Sequence, residues 1–220
     1  MPMNKWEKFI SEDEMPLNFV RFYAVGLLLF ILPFTRQLFI NITSLSLLLV
    51  IGTVFYFHKK WDTKTIFLFS LIILSSFVLE MIGVNTGMLF GSYQYDSGLS
   101  IKLFETPIII GFNWLFLVYA TRAIVSKYGF HPLFTILSGA VLMVGYDLIL
   151  EFVAPYMQMW HFYDGYPPIQ NFIMWFLSAV VFHSILQFLK IEVENRLARM
   201  LFWIQIGFFA IISVFKILNF

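Results

Sequence analysis

The sequence predicts an all-α, polytopic membrane helical bundle of about seven transmembrane helices, with its N-terminus in the cytoplasm. Three observations carry this prediction. The 220 residues are 60% hydrophobic and only 12% charged, their mean hydropathy is +0.83, and the apolar residues gather into runs long enough to cross a bilayer. A soluble domain of this length has no interior large enough to hide so much apolar surface.

A helix crosses about 30 Å of hydrocarbon in roughly 18 to 22 mostly apolar residues. Ahead of the first such run, residues 1–16 mix Lys5 and Lys8 with Glu7, Glu12, Asp13 and Glu14. They lack the apolar centre of a cleaved signal and are expected to form a short cytoplasmic tail. The runs then follow as Leu17 to Pro33, Leu38 to Phe57, Thr65 to Val84, Pro107 to Val125, Pro132 to Leu150, Asn171 to Leu189 and Met200 to Leu218. Asn41, Thr43 and Ser44 dilute the start of the second run. The third carries Glu80 about one turn inside its end, the fourth carries Asn113 and Trp114, and the fifth closes on Asp147 with Glu151 just beyond. Backbone groups in lipid must be satisfied internally, so helices are the natural form, and no alternating barrel pattern competes with them. No repeat or low-complexity linker divides the chain, which reads as one integral membrane domain over residues 1–220.

The basic residues set the expected orientation. The tail and the even-numbered connections hold Lys5, Lys8, Lys59, Lys60, Lys64, Arg122, Lys127, Lys190, Arg196 and Arg199, whereas the opposite face holds Arg36, Lys102 and Lys216. Arg21 lies just inside the first run on the N-terminal side. Positive residues stay in the cytoplasm, so Glu80, Asp147 and Glu151 are expected near the outer leaflet of the cell membrane. The two longest connections, residues 85–106 and 151–170, share that face, and long loops beside buried acids mark the region of about 80–175 as the site-bearing one.

Composition also excludes several functions. A net charge of +1 leaves no basic field to hold a nucleic acid. There is no cysteine, hence no thiolate nucleophile and no Cys-ligated metal. His58, His131, His161 and His183 are scattered without paired spacing, so no metal site is predicted. No serine nucleophile motif, phosphate loop or dinucleotide fingerprint is present. The 28 Phe, 10 Tyr and 6 Trp provide flat, polarisable surface that suits a long conjugated or isoprenoid ligand and equally suits helix packing and lipid contact.

Three clusters remain as candidate chemistry. The first runs from Glu80 through Gly83, Gly87 and Gly91 to Tyr93 and Tyr95. An ionisable group at membrane depth is costly to keep and reads as functional or as a hydrogen-bonded tie between helices, while the spaced glycines read as a close helix contact followed by a turn. The second is Asp147 and Glu151, four residues apart on one helical face. Two bare anions there repel, so one is protonated, a donor or metal lies between them, or the helix ends and they separate. The third is the aromatic loop holding Trp160 that leads to Asn171 and Trp175, which face the same way four residues apart.

At these clusters the chain resembles the CruF-type carotenoid hydratases, among them bisanhydrobacterioruberin hydratase. The resemblance lies in Glu80 followed by Phe90-Gly91-Ser92-Tyr93-Gln94-Tyr95, then Pro107 and Trp114, then Asp147, Leu148 and Glu151, then Trp160, Gly165, Pro168, Asn171, Phe172 and Trp175. It departs where Glu151-Phe152 stands for the usual Asp-Pro and where the Gly-x-Pro stretch becomes Gly165-Tyr166-Pro167-Pro168. The resemblance implies acid-catalysed addition of water to the terminal double bond of an acyclic carotenoid, giving a tertiary alcohol without a cofactor. On that basis Glu80, Asp147 and Glu151 form the acid and base set, Asn171 and Asn113 hold water, and Tyr93, Tyr95, Trp114, Trp160 and Trp175 line the pocket. The expected partners are a carotenoid or other long isoprenoid and membrane lipid. The alternatives are an end-ring cyclase using the same proton chemistry in a dry pocket, and a non-catalytic isoprenoid-lipid binding or transport protein.

Overall fold

The structure is a computed structural model that describes residues 11–99 and 101–218. Among these, seven helices follow one another: α1 (Met15–Ile31), α2 (Pro33–Tyr56), α3 (Thr63–Thr86), α4 (Ile109–Ser126), α5 (Pro132–Val153), α6 (Ile169–Phe188) and α7 (Arg196–Ile217). Six of them, α2 to α7, are long and apolar enough to cross a membrane. With 17 residues, α1 is shorter, about 26 Å at ~1.5 Å per residue. The expected polytopic bundle is therefore what the chain forms, while most of the predicted tail lies outside the described residues.

Local chemistry explains where the helices begin and end. Pro16, Pro33 and Pro132 sit in first turns, where the missing N–H costs nothing. The Asp62 carboxylate caps α3 by accepting from the Thr65 N–H at 2.8 Å, and Asn195 caps α7 by accepting from Ala198 at 3.0 Å. α2 starts five residues before the predicted run because its polar residues bond within the helix. Gln37 donates to Asn41 at 3.0 Å, and Thr43 donates to the Phe39 carbonyl at 2.9 Å. α5 continues past Glu151 to Val153, so the acid pair does not part at a helix end.

α4 is the central helix. Of its apolar window 83% is buried, against 33–39% for the other five long helices, and it touches α2, α3, α5, α6 and α7. α1 packs outside this ring against α2 and α7. Gly111 lets α4 meet α3 closely, since a Cβ there would sit 2.7 Å from the Ile73 carbonyl oxygen. Gly139 does the same for α5 and α6, where the His183 ring fills its place. The outer helix faces present bare apolar side chains such as Phe34 and Phe188, 81% and 85% exposed, as lipid-facing surfaces require.

The two long connections meet at one end of the bundle. Strand β1 (Tyr93–Tyr95) pairs antiparallel with β4 (Trp160–Phe162), setting Tyr93 opposite Phe162 and Tyr95 opposite Trp160. A second small pair joins β2 (Lys102–Leu103) to β3 (Thr106–Pro107). Side chains alternate along a strand, so Tyr93, Tyr95, Trp160 and Phe162 all turn inward and are buried. Gln94 and His161 turn outward, where Tyr163 donates to Gln94 at 3.0 Å and the His161 ring meets Asp96 at 2.9 Å. This ribbon, which the helical pattern does not predict, closes the end of the bundle with an aromatic inner face.

Candidate active site

Glu80 lies one and a half turns before the end of α3, and two elements supply its partners. Tyr93 and Tyr95 donate their hydroxyls to Oε2 at 2.7 and 2.8 Å, and the Trp114 indole of α4 donates to Oε1 at 2.9 Å. The glycines preceding β1 make this possible by folding the chain back onto its own helix. Gly87 ends α3 in the left-handed region at φ 67°, and Gly91 turns again at φ 94° with Pro168 packed where a Cβ would be. Gly83 leaves room for Phe90, whose ring would lie 2.5 Å from an added Cβ. The expected turn is therefore present at Gly87 and Gly91, while the close approach that Gly83 permits is to the returning loop and not to a second helix. Burial pushes both phenols well above the usual range, and the Glu80 carboxylate adds to the shift, so each stays a donor.

The acid pair is built from α5 and α6. Asn171, in the first turn of α6, donates its Nδ2 to Asp147 Oδ2 at 3.0 Å and to Glu151 Oε1 at 3.2 Å. The helix does not end between these carboxyls, and a donor from the neighbouring helix lies between them. The other oxygen of Glu151 accepts from the Trp160 indole of β4 at 2.9 Å. Asp147 is fully buried, and its Oδ1 has no hydrogen-bond partner among the described residues.

The two groups face each other across one small cavity of about 20 Å³. Glu80, Glu151, Asn113 and Asn171 contribute its polar wall, and Phe90, Tyr93, Tyr95, Trp114, Trp160, Phe162 and Trp175 its aromatic one. Nine of the ten residues singled out in the sequence line it. Asp147 does not, and reaches it only through Asn171. Phe90, Phe162, Ile110 and Leu150 also line the space. Phe90 and Phe162 were legible only as loop aromatics, and the two aliphatic residues carried no signal distinguishing them from other helix residues. Trp175 stacks on Trp114 with ring centroids 4.1 Å apart, which joins the Glu80 side of the site to the Asn171 side. The Asn113 amide makes no hydrogen bond to another described residue and looks into both this cavity and a second one of about 20 Å³ beside it.

Such a site can do proton chemistry in a confined space. It brings two carboxyls from different helices, an uncommitted amide and a ring-lined wall around a space with room for one water. No curated protein and no solved structure matches the chain. A protein-family model described as "Carotenoid biosynthesis protein" matches residues 40–219, which extends the likeness well beyond the stretch from Glu80 to Trp175. The match covers the acid cluster, the ribbon and six of the seven helices in whole or in most of their length, and by it the chain belongs to the carotenoid biosynthesis protein family.

Proposed function

We propose that the protein is a carotenoid hydratase that adds water to the terminal isopropylidene double bond of an acyclic carotenoid. The observation that carries this reading is that Glu80 and Glu151, from different helices, face one aromatic-walled cavity together with the amides of Asn113 and Asn171. Family membership supports a role in carotenoid biosynthesis.

In the proposed reaction a carboxyl proton adds to the less substituted alkene carbon, leaving a tertiary cation on its neighbour. The oxygen of a water then bonds to that cation, and the water's surplus proton passes to a carboxylate, so the acid is restored and no redox change occurs. Glu151 is the proposed donor. Glu80 has three donors fixed on its two oxygens, whereas Glu151 has one on each, and one of those is shared with Asp147. Asp147 acts as a positioning residue through Asn171. Ring faces of Trp114, Trp160 and Trp175 stabilise the cation, and the Asn113 amide is free to hold the water. A cyclase needs a wall without water-holding groups, and the four polar side chains here favour hydration. The excess of Lys and Arg on the opposite face supports a site near the outer leaflet. Because the chain has no cysteine, labelling of Ser97→Cys from outside intact cells checks this placement, and labelling only after lysis reverses it.

The test is expression in cells that accumulate lycopene, alongside Glu80→Gln, Asp147→Asn and Glu151→Gln, with pigments separated and weighed by mass spectrometry. A product heavier by one water that the acid variants lose supports the hydratase. An isomer of unchanged mass would make the protein a cyclase, and unaltered pigment with protein present in the membrane would overturn both.

A further inference from the structure

The cavity at the acids is too small for a long substrate, yet it stands at the end of a series of spaces. It shares Ile110, Asn113, Leu150 and Trp160 with the second small cavity. That cavity shares Leu47, Met159 and Phe209 with a groove of about 180 Å³ between α1, α2 and α7. The groove has no charged residue in its wall, and it opens toward lipid at Phe22 and Val25. Two of its three hydroxyl side chains are committed to protein partners: the Thr43 hydroxyl donates to the Phe39 carbonyl, and the Tyr23 hydroxyl accepts from Gln205 at 2.8 Å, which leaves Ser46 as the third.

The geometry points to this groove as the binding site for the linear polyene chain of the substrate, an inference that rests on the hydratase reading for the position of the reacting end. Three features select that occupant. The groove is apolar and elongated along α1, its wall there running from Phe22 to Leu29, about 10 Å. Phe22, Tyr23, Phe39, Phe208 and Phe209 supply flat ring surface for a conjugated chain. Its inner end shares walls with the small cavity that adjoins the carboxyls, the direction a chain whose terminus reacts requires. Where the groove meets the second cavity stands Met159, an unbranched side chain that yields to a passing chain at little cost. A groove of about 210 Å³ on the other side of α2, lined by Leu45 and Leu48, shares only Ile109 with the second cavity and has no such continuation.

The test uses full-length protein purified in mild detergent from lycopene-accumulating cells, with retained pigment measured per protein and weighed by mass. Ser46→Trp on α2 and Gly26→Leu on α1 intrude on the groove, and Leu45→Trp intrudes on the other one. The expected result is loss of retained polyene by about tenfold or more in the first two and little change in the third. Two blocking variants on different helices make the outcome independent of either one's folding. Retention unchanged in both blocked variants, or lost only in Leu45→Trp, overturns the groove and leaves the hydratase reading standing if the heavier product still forms. Retention that follows the groove variants with pigment of unchanged mass supports the groove and overturns the hydratase. Wild-type protein that retains no polyene overturns the groove.

Discussion

Trp114 lies face to face on Trp175, with ring centroids 4.1 Å apart and planes 22° from parallel. Each ring also belongs to a polar arrangement: Trp114 donates to Glu80, and Trp175 sits one turn along α6 from Asn171, which bridges the acid pair. The stack is thus the rigid link between two carboxyl groups held by different helices.

Trp114→Phe keeps a ring in the stack and removes the indole N–H. Glu80 then loses one of three donors at a buried oxygen, a cost of about 1 to 2 kcal/mol. For a chain of this size that is a fall of about 2–8 °C in unfolding temperature. Thermal unfolding in detergent checks it, and an unchanged midpoint would show the bond to be dispensable.

Glu151 faces the cavity and Asp147 acts through Asn171, so their neutral isosteres have unequal effects. Glu151→Gln lowers conversion by about 100-fold or more, as loss of an acid catalyst does, and Asp147→Asn by about tenfold. Initial rates on one acyclic carotenoid compare them, and equal losses would put Asp147 in direct contact with the reaction. Asn171→Asp sets a third carboxyl where the donor was and destabilises by about 3 kcal/mol or more, which the same unfolding assay reads.

Gly83→Ala tests whether the loop return depends on that glycine. Alanine gains about 1 kcal/mol in helix propensity, but its methyl group would lie 2.5 Å from Phe90 and 3.2 Å from the Tyr93 oxygen. Displacing a packed ring costs about 1–3 kcal/mol, so the net effect is destabilising. Adding Phe90→Leu to Gly83→Ala restores part of the loss. A stabilised single variant would mean that the loop does not pack there.

His58 lies beyond the end of α2, with Nδ1 2.8 Å from the Tyr119 hydroxyl and Nε2 2.9 Å from the Lys60 carbonyl. Burial lowers its pKa below the usual value, against the smaller raising effects of the Lys60 carbonyl and Asp62. The unfolded chain therefore takes up the proton first as pH falls. Stability from this group is complete above about pH 6.5 and declines as pH drops through the folded value. Unfolding midpoints at about pH 7.5 and 5.5 should differ more in the wild type than in His58→Asn. Equal shifts in both would assign the acid sensitivity elsewhere.

The sequence by itself determined the helices, because the length of an apolar run is a local property that lipid tests directly. Every predicted run became a helix, and the nominated Glu80, Asp147 and Glu151 all lie at the bundle end that carries the two long connections. Nine of the ten nominated residues line one cavity and Asp147 stands behind it, since their types, acids and amides among aromatics, are ones a membrane interior keeps only with partners. Only the tertiary structure decided which partner each took. The β1–β4 pairing joins residues about seventy positions apart, and no local pattern in Tyr93–Tyr95 announces Trp160–Phe162 as its complement. The choice of Asn171 as the donor between Asp147 and Glu151, with Glu151 toward the cavity and Asp147 behind it, depends on how α5 and α6 are rotated against each other. That rotation is set by side-chain packing across the helices, as at Gly139 and His183, and the periodicity of either helix alone does not contain it.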